Sequence, residues 1–311
     1  MRIVMLGTGP FAVPTLRALN DSEHEVVSAA SRPPRGRRAK PAPVFVAAQQ
    51  LGIDTWLPDT VNSDEARDQL TALDADLLVV CDYGEILKPD TLATSRLGGI
   101  NLHGSLLPKY RGAAPVQWAV YHGDAETGNT VIQMTPGLDA GPALGVQRIG
   151  IDPDETAGEL ENRMAALGAE LVLEIVEQIS AGATSPVPQD KSQATKAPRL
   201  TKEMGQIDWS RTAVEIKNQV RALQPWPRAF ASWQRQAGEP VRLILHRVRV
   251  GDSSPGEAGS PGSVLVSGTE LVVATGDGVL CLEEVQPAGK RVMQAADFLR
   301  GYPVQVGDRL A

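Results

Sequence analysis

Asn101, Leu102 and His103 are consecutive, and Asp139 lies downstream in the stretch Thr135-Pro136-Gly137-Leu138-Asp139-Ala140-Gly141. In an extended backbone alternate side chains share a face, so an amide and an imidazole can be aimed at one small volume while Leu102 packs behind them. Glycines on either side let the Asp139 loop bend and bring its carboxylate to the imidazole. An amide, an imidazole and a carboxylate around one point suit acyl transfer.

Two other chemistries compete. Ser105, in His103-Gly104-Ser105, offers a nucleophile for which His103 and Asp139 are base and orienting acid. The site lacks a G-x-S-x-G elbow, and Ser105 before Leu106-Leu107-Pro108 reads better as a binding residue than as a nucleophile. Gly7-Thr8-Gly9-Pro10-Phe11-Ala12 matches the G-x-G-x-x-A turn that places a pyrophosphate at a helix N-terminus. Where that fold wants an acidic residue for the ribose, the chain has Ser31 and Arg32, which suit at most a 2′-phosphate. A plain strand-to-helix turn is the favoured reading.

These residues need a scaffold. Apolar strand-like runs alternate with helical ones through the first 150 residues: Arg2 to Leu6, Ala12 to Leu19, Val26 to Ala30, Pro43 to Leu51 and Asp76 to Val80. That rhythm predicts βαβ units, a mainly parallel sheet and a Rossmann-like α/β fold, with function at the carboxyl edge of the strands. Asp82-Tyr83-Gly84 and Asn101 to Ser105 both follow apolar runs and are expected to line one crevice. Thr156 to Glu159 spells a capping box, and apolar residues then recur at helical spacing until Gly182. Ala183 to Leu200 lacks periodicity and reads as an exposed linker. Beyond it the spacing predicts a helix over Thr212 to Leu223, then strands at Val241 to Val250, Ser263 to Val266, Glu270 to Thr275 and Gly278 to Glu283. A small β-barrel is the simplest second domain.

Composition excludes several classes. At 311 residues and 42% hydrophobic, the chain has the core of a soluble protein of two domains or one large one. It reaches Gly7 too early for a signal peptide, and no apolar run spans a membrane, so a cytoplasmic protein without membrane contact is expected. Cys81 and Cys281 are far apart and are expected in the core, with no disulfide or thiolate metal site. No metal site is evident from ligand spacing. The net charge of -7 argues against a protein that coats nucleic acid. From Ser210 onward, however, 12 basic residues face 10 acidic ones, and Arg32 to Lys40 carries five cations in nine residues, a phosphate-contact candidate.

The block Asn101-Leu102-His103-Gly104-Ser105-Leu106-Leu107-Pro108-Lys109-Tyr110-Arg111-Gly112-Ala113-Ala114-Pro115, with Gly123 to Gly128 and the Asp139 loop, resembles the formyltransferases that use 10-formyltetrahydrofolate. Further matches are Lys202-Glu203, Ile207-Asp208-Trp209-Ser210, Pro225-Trp226-Pro227 and Pro287-Ala288-Gly289-Lys290, so the resemblance covers nearly the whole chain. It implies a formyltransferase catalytic domain over 1–189, a linker over 190–208 and an OB-like β-barrel over 209–311 that binds tRNA. It also implies that Asn101, His103 and Asp139 are catalytic and that Ser105, Leu106, Leu107, Pro108, Tyr83, Gly84 and Leu87 hold the folate. The implied donor is 10-formyltetrahydrofolate, without a metal. The implied acceptor is initiator methionyl-tRNA, met by Arg35, Arg37, Arg38 and Lys40 of the basic loop; a monomer is expected. Asp82 and Lys88-Pro89 depart from the family pattern beside the folate segment, and Pro34 stands where a glycine usually precedes Arg35. Arg247, Arg249, Lys290 and Arg291 are candidate backbone contacts on the barrel. The rival acceptor is an amino sugar nucleotide or other small amine; a non-catalytic RNA-binding protein and an NADP-linked oxidoreductase come behind it.

Overall fold

The computed structural model describes residues 1–34, 36, 39–235, 239–252 and 259–311. These form two compact units: Met1–Val116 with Glu126–Gly150 and Leu160–Pro198, and Gln117–Ala125 with Ile151–Glu159 and Arg199–Ala311.

In chain order the first part carries strand β1 (Arg2–Gly7), helix α1 (Val13–Asn20), β2 (Glu25–Ala30), α2 (Pro43–Gln50), β3 (Thr55–Trp56), α3 (Asp64–Ala72) and β4 (Leu77–Cys81). It continues through α4 (Pro89–Leu92), β5 (Gly99–His103), β6 (Arg111–Gly112), α5 (Pro115–His122), β7 (Glu126–Gln133), β8 (Ala143–Gly150), α6 (Ala157–Ser180) and β9 (Lys196–Ala197). Seven strands form one sheet in the order β3-β2-β1-β4-β5-β7-β8. The five from β3 to β5 run parallel, whereas β7 and β8 are antiparallel to their neighbours. The expected α/β unit with a mainly parallel sheet is therefore present. Every residue of β4 is buried, which is why Leu77 to Cys81 is apolar without alternation.

Helix α6 starts as its sequence dictates. The Thr156 backbone N–H donates to Glu159 Oε2 at 2.9 Å, and the Glu159 N–H donates to Thr156 Oγ1 at 3.3 Å, the reciprocal capping box. Gly168 on this helix lets it approach β5: a Cβ there would lie 2.8 Å from Leu102 Cδ2. Leu102 is thus clamped beneath α6, and alternation turns Asn101 and His103 to the opposite face.

The second unit contains α7 (Ala213–Ala222), β10 (Ala229–Gln234), β11 (Val241–Gly251), β12 (Val264–Ser267), β13 (Leu271–Ala274), β14 (Val279–Pro287), β15 (Met293–Gln294), α8 (Ala295–Gly301) and β16 (Arg309–Leu310). Its antiparallel order is β12-β13-β14-β11-β10-β16, and a bridge between Ser263 and Arg309 joins the two ends into a nearly closed barrel. Trp209, Ile216, Trp233, Leu245 and Phe298 fill the interior. The Trp233 indole N–H donates to Asp308 at 3.0 Å, which satisfies the one polar atom it brings into the core. Cys81 and Cys281 are buried free thiols, as expected.

The segment read as an exposed linker is only partly that. Ala197 is fully buried and β9 pairs with β6, while Ile207 enters the barrel core. Its composition is that of a loop, but its backbone completes a two-stranded ladder whose other strand lies 85 residues earlier, a pairing no local pattern records. Among the described residues no helix is long and apolar enough to cross a membrane, and no cluster of His, Cys, Asp or Glu could hold a metal ion.

Candidate active site

β5 delivers its side chains at the edge where β4 and β1 also end. His103 is 6% exposed, and its Nε2 lies 2.9 Å from the carbonyl oxygen of Tyr110. A carbonyl only accepts, so Nε2 carries the hydrogen and donates. The other nitrogen, Nδ1, faces Asp139 Oδ2 at 3.7 Å, too long for a hydrogen bond and short enough for charge to be felt. Among the described residues the half-buried Asn101 amide has no hydrogen-bond partner, so its N–H groups are free for an incoming oxygen.

Asp139 is placed by backbone as much as by sequence. It adopts the left-handed region, φ 48°, in the loop between β7 and β8. Its Oδ2 accepts from the Gly112 N–H at 2.9 Å. Gln189 holds the loop from the far side: its Nε2 donates to the carbonyls of Asp139 and Gly141 at 2.8 and 2.7 Å, while its Oε1 accepts from Arg111 Nη2 at 2.6 Å. The Tyr110 N–H donates to Thr195 Oγ1 at 2.8 Å, which fixes the peptide whose carbonyl holds His103. The Tyr110 carbonyl holds one ring nitrogen, and the Asp139 carboxylate faces the other beyond hydrogen-bonding distance.

Sequence reasoning missed Tyr110, Gly112, Gln189 and Thr195 because two act through backbone atoms and two lie in the linker-like stretch. It also missed Thr130, opposite His103 in β7. The Thr130 hydroxyl donates to the Ser105 carbonyl at 2.6 Å and accepts from the Leu107 N–H at 3.2 Å, so it pins the turn after β5.

The residues assigned to the folate divide into two groups. Leu106, Leu107 and Pro108 are half-buried and Gly84 is exposed. Ser105, Tyr83 and Leu87 are buried. The Ser105 hydroxyl donates to the Lys109 carbonyl at 2.7 Å, so its hydrogen is committed to the turn after β5. Burial, followed by the charge of Glu85, holds the Tyr83 hydroxyl well above the usual phenol range, and this hydroxyl has no partner among the described residues. An orphaned hydroxyl clustered with Leu87 fits a ligand that brings both a polar edge and apolar area.

Residues 1–176 match the formyl transferase family and residues 199–303 match the formyl transferase C-terminal domain. The chain belongs to the formyl transferase family. It is 43% identical to a methionyl-tRNA formyltransferase of Rhodopirellula baltica over 100% of this chain and 96% of that one. A methionyl-tRNA formyltransferase of Roseiflexus castenholzii is likewise 43% identical, over 100% and 99%. In fold it is similar to the crystal structure of WlaRD, a sugar 3N-formyl transferase seen with dTDP and 5-N-formyl-THF, with a TM-score of 0.69, 17% identity, and 94% and 99% coverage of the two chains.

In this formyl transferase the glycine turn after β1 is not a dinucleotide site. The Thr8 and Gly9 N–H groups donate to the Asp82 carbonyl at 3.0 and 3.4 Å, and a Cβ on Gly9 would fall 1.7 Å from Asp82 Oδ2. The place where a pyrophosphate would sit is taken by a carboxylate. Asp82 is reached by solvent on one side, yet burial among its other neighbours, followed by the charge of Glu161, pushes its carboxyl up to about 7. Arg32, the candidate for a 2′-phosphate, is paired with Glu85. Of the basic loop, Lys40 is exposed, and Arg35, Arg37 and Arg38 lie outside the described residues. On the barrel, Arg247 and Arg249 are paired with Glu283 at 3.3 and 3.5 Å, which reduces their value as phosphate contacts. Lys290 and Arg291 are exposed and have no acidic partner among the described residues.

Proposed function

We propose that this formyl transferase moves the formyl group of 10-formyltetrahydrofolate to the α-amine of initiator methionyl-tRNA, giving formylmethionyl-tRNA for translation initiation. The reading rests on full-length identity of 43% to proteins named for that reaction, together with an unpartnered Asn101 amide beside His103. Asn101, His103 and Asp139 are its catalytic residues. Ser105, Leu106, Leu107 and Pro108, with Tyr83, Gly84 and Leu87, line the folate site. Arg35, Arg37, Arg38 and Lys40 meet the tRNA.

The folate, when bound, supplies the formyl carbon at which the amine replaces a ring-side nitrogen. Asn101 donates to the formyl oxygen as negative charge develops there. Neutral His103, with its hydrogen on Nε2 toward Tyr110, presents the Nδ1 lone pair as acceptor for the amine proton. The resulting imidazolium lies 3.7 Å from Asp139 and gives the proton to the departing nitrogen, which leaves as the neutral amine and returns the imidazole to its starting form. At that separation a charge pair is worth about 4 kcal/mol with an effective dielectric constant of about 20. Asp139 faces the charge that forms on the ring during the reaction and does not itself take the proton. The amine attacks directly, so kinetics are sequential and no formyl ester forms on Ser105.

The test is incubation of the purified protein with 10-formyltetrahydrofolate and initiator methionyl-tRNA, with formylmethionine read by mass spectrometry and an Asn101→Ala/His103→Ala double variant as control. Product that vanishes in the variant supports both reaction and site. No product from folded wild-type protein overturns the tRNA acceptor and moves the search to a small amine such as an amino sugar nucleotide.

A further inference from the structure

Of the tryptophans in the barrel unit, Trp209 and Trp233 are buried at 5% and 3% exposure, but Trp226, between α7 and β10, is 52% exposed. A half-exposed indole is costly to leave in water. Two residues on, Arg228 holds a left-handed φ of 72°, a conformation arginine adopts only under constraint. Its Nε donates to the Pro225 carbonyl at 3.1 Å and its Nη1 to Gln286 Oε1 at 3.3 Å.

Gln286 organises the rest of this surface. Its Oε1 also lies 3.0 Å from His246 Nε2, and its Nε2 donates to the Lys290 carbonyl at 2.7 Å. The His246 carbonyl in turn accepts from Gln224 at 2.6 Å. One hydrogen-bonded network therefore ties together the Trp226 segment, β11 and the Pro287 to Arg291 turn, where Lys290 and Arg291 are exposed. The nearby carboxylates are engaged elsewhere: Asp154 pairs with Lys217 at 2.6 Å, Glu159 caps α6 through Thr156, and Glu284 accepts from Gln294. The network fixes the Arg228 guanidinium and, through the Lys290 carbonyl, the turn that carries Lys290 and Arg291, with no carboxylate among its members.

We infer that this surface is an RNA platform on which Trp226 stacks an unpaired base of the tRNA while Arg228, Lys290 and Arg291 contact the flanking phosphates. The inference rests on the tRNA reading above and adds to it where on the barrel the RNA is held and which feature it must offer. Base-on-indole stacking needs a free base face, so a fully paired duplex cannot satisfy it. The Arg228 guanidinium, already held in place, loses little entropy in making such a contact.

The experiment is a fluorescence titration of the full-length protein with tRNA and with a fully paired RNA duplex at stepped salt, using wild type, Trp226→Ala, Trp226→Phe and Lys290→Gln/Arg291→Gln. Stacking predicts quenching by tRNA, not by duplex, that is lost in Trp226→Phe. It also predicts a Kd raised about tenfold in Trp226→Ala and about two- to threefold in Trp226→Phe. The double variant lowers the slope of log K against log salt by about 1.5 to 2. Thermal unfolding of each variant checks that the barrel is intact. Wild-type affinity and quenching in Trp226→Ala overturn the platform. If wild type formylates methionyl-tRNA and the indole makes no difference, only this surface is lost. If it formylates no tRNA, the underlying reading has failed instead.

Discussion

The carbonyl of Tyr110 holds Nε2 of His103 at 2.9 Å, and so decides which ring nitrogen meets the substrate. Because that contact consumes the Nε2 hydrogen, every role of the imidazole in proton transfer passes through Nδ1, the nitrogen that faces Asp139.

Asp139→Asn keeps the shape of the side chain and the bond from the Gly112 N–H but removes the charge opposite Nδ1. Loss of about 4 kcal/mol of imidazolium stabilisation, less what solvent restores, should lower kcat by two to three orders of magnitude. Steady-state formylation from pH 6 to 9 checks this, and near wild-type turnover across that range would remove the electrostatic role.

Asn101→Ala removes the one amide at the site that the protein leaves unpartnered. A single oxyanion donor is worth roughly 2.7 to 4 kcal/mol, so kcat should fall about 10²- to 10³-fold with unfolding temperature unchanged. Comparable loss of thermal stability would instead mark Asn101 as structural.

Gln189 separates donor from acceptor. Gln189→Glu can still accept from Arg111 but cannot donate to the Asp139 and Gly141 carbonyls, so it should be impaired as much as Gln189→Leu. Each variant is expected to lose about tenfold or more in kcat, because an unpaired buried carbonyl costs about 1 to 3 kcal/mol and frees the loop. KM for folate should change little. Wild-type kcat in Gln189→Glu would show that the donor bonds do not matter.

Asp82 gives a stability signal of the opposite sign to an ordinary paired carboxylate. Its folded pKa, about 7, is raised above the usual carboxylate value near 4, so between those values the native state binds the proton that the unfolded chain has released. Stability from this group is present at pH 4 and is lost as pH rises through 7. Asp82→Asn should therefore unfold at a higher temperature than wild type at pH 8 and close to it at pH 4.5. Equal unfolding temperatures at both values would show that Asp82 titrates normally.

Neutralising Arg35, Arg37, Arg38 and Lys40 together should weaken tRNA binding and flatten its salt dependence by about three in log–log slope, with folate affinity unchanged. An unchanged slope would take this loop out of the RNA interface.

What was legible in the sequence was local. The buried strand at Leu77 to Cys81, the alternation through Asn101 to His103, the capping box at Thr156 and the helix over Thr212 to Leu223 are each written within a few residues, and each element formed where expected. β10 escaped notice because it starts just after Pro225-Trp226-Pro227, a breaker that hides the strand behind it. The props of the catalytic trio escaped for a different reason. Thr195 and Gln189 act across 85 and 50 residues of sequence on Tyr110 and Asp139, and the Tyr110 and Gly112 contributions come from backbone atoms that any residue carries.

The family match to the catalytic unit stops at residue 176, but the ladder of β6 with β9 and the grip of Gln189 come after it. A fragment cut there would keep the whole seven-stranded sheet, Asn101, His103 and the Tyr110 and Gly112 contacts, and would lack Thr195 and Gln189, which brace Tyr110 and the Asp139 loop. The compact unit that carries these residues reaches Pro198, so completing the sheet and completing the bracing of the trio are separate events along the chain.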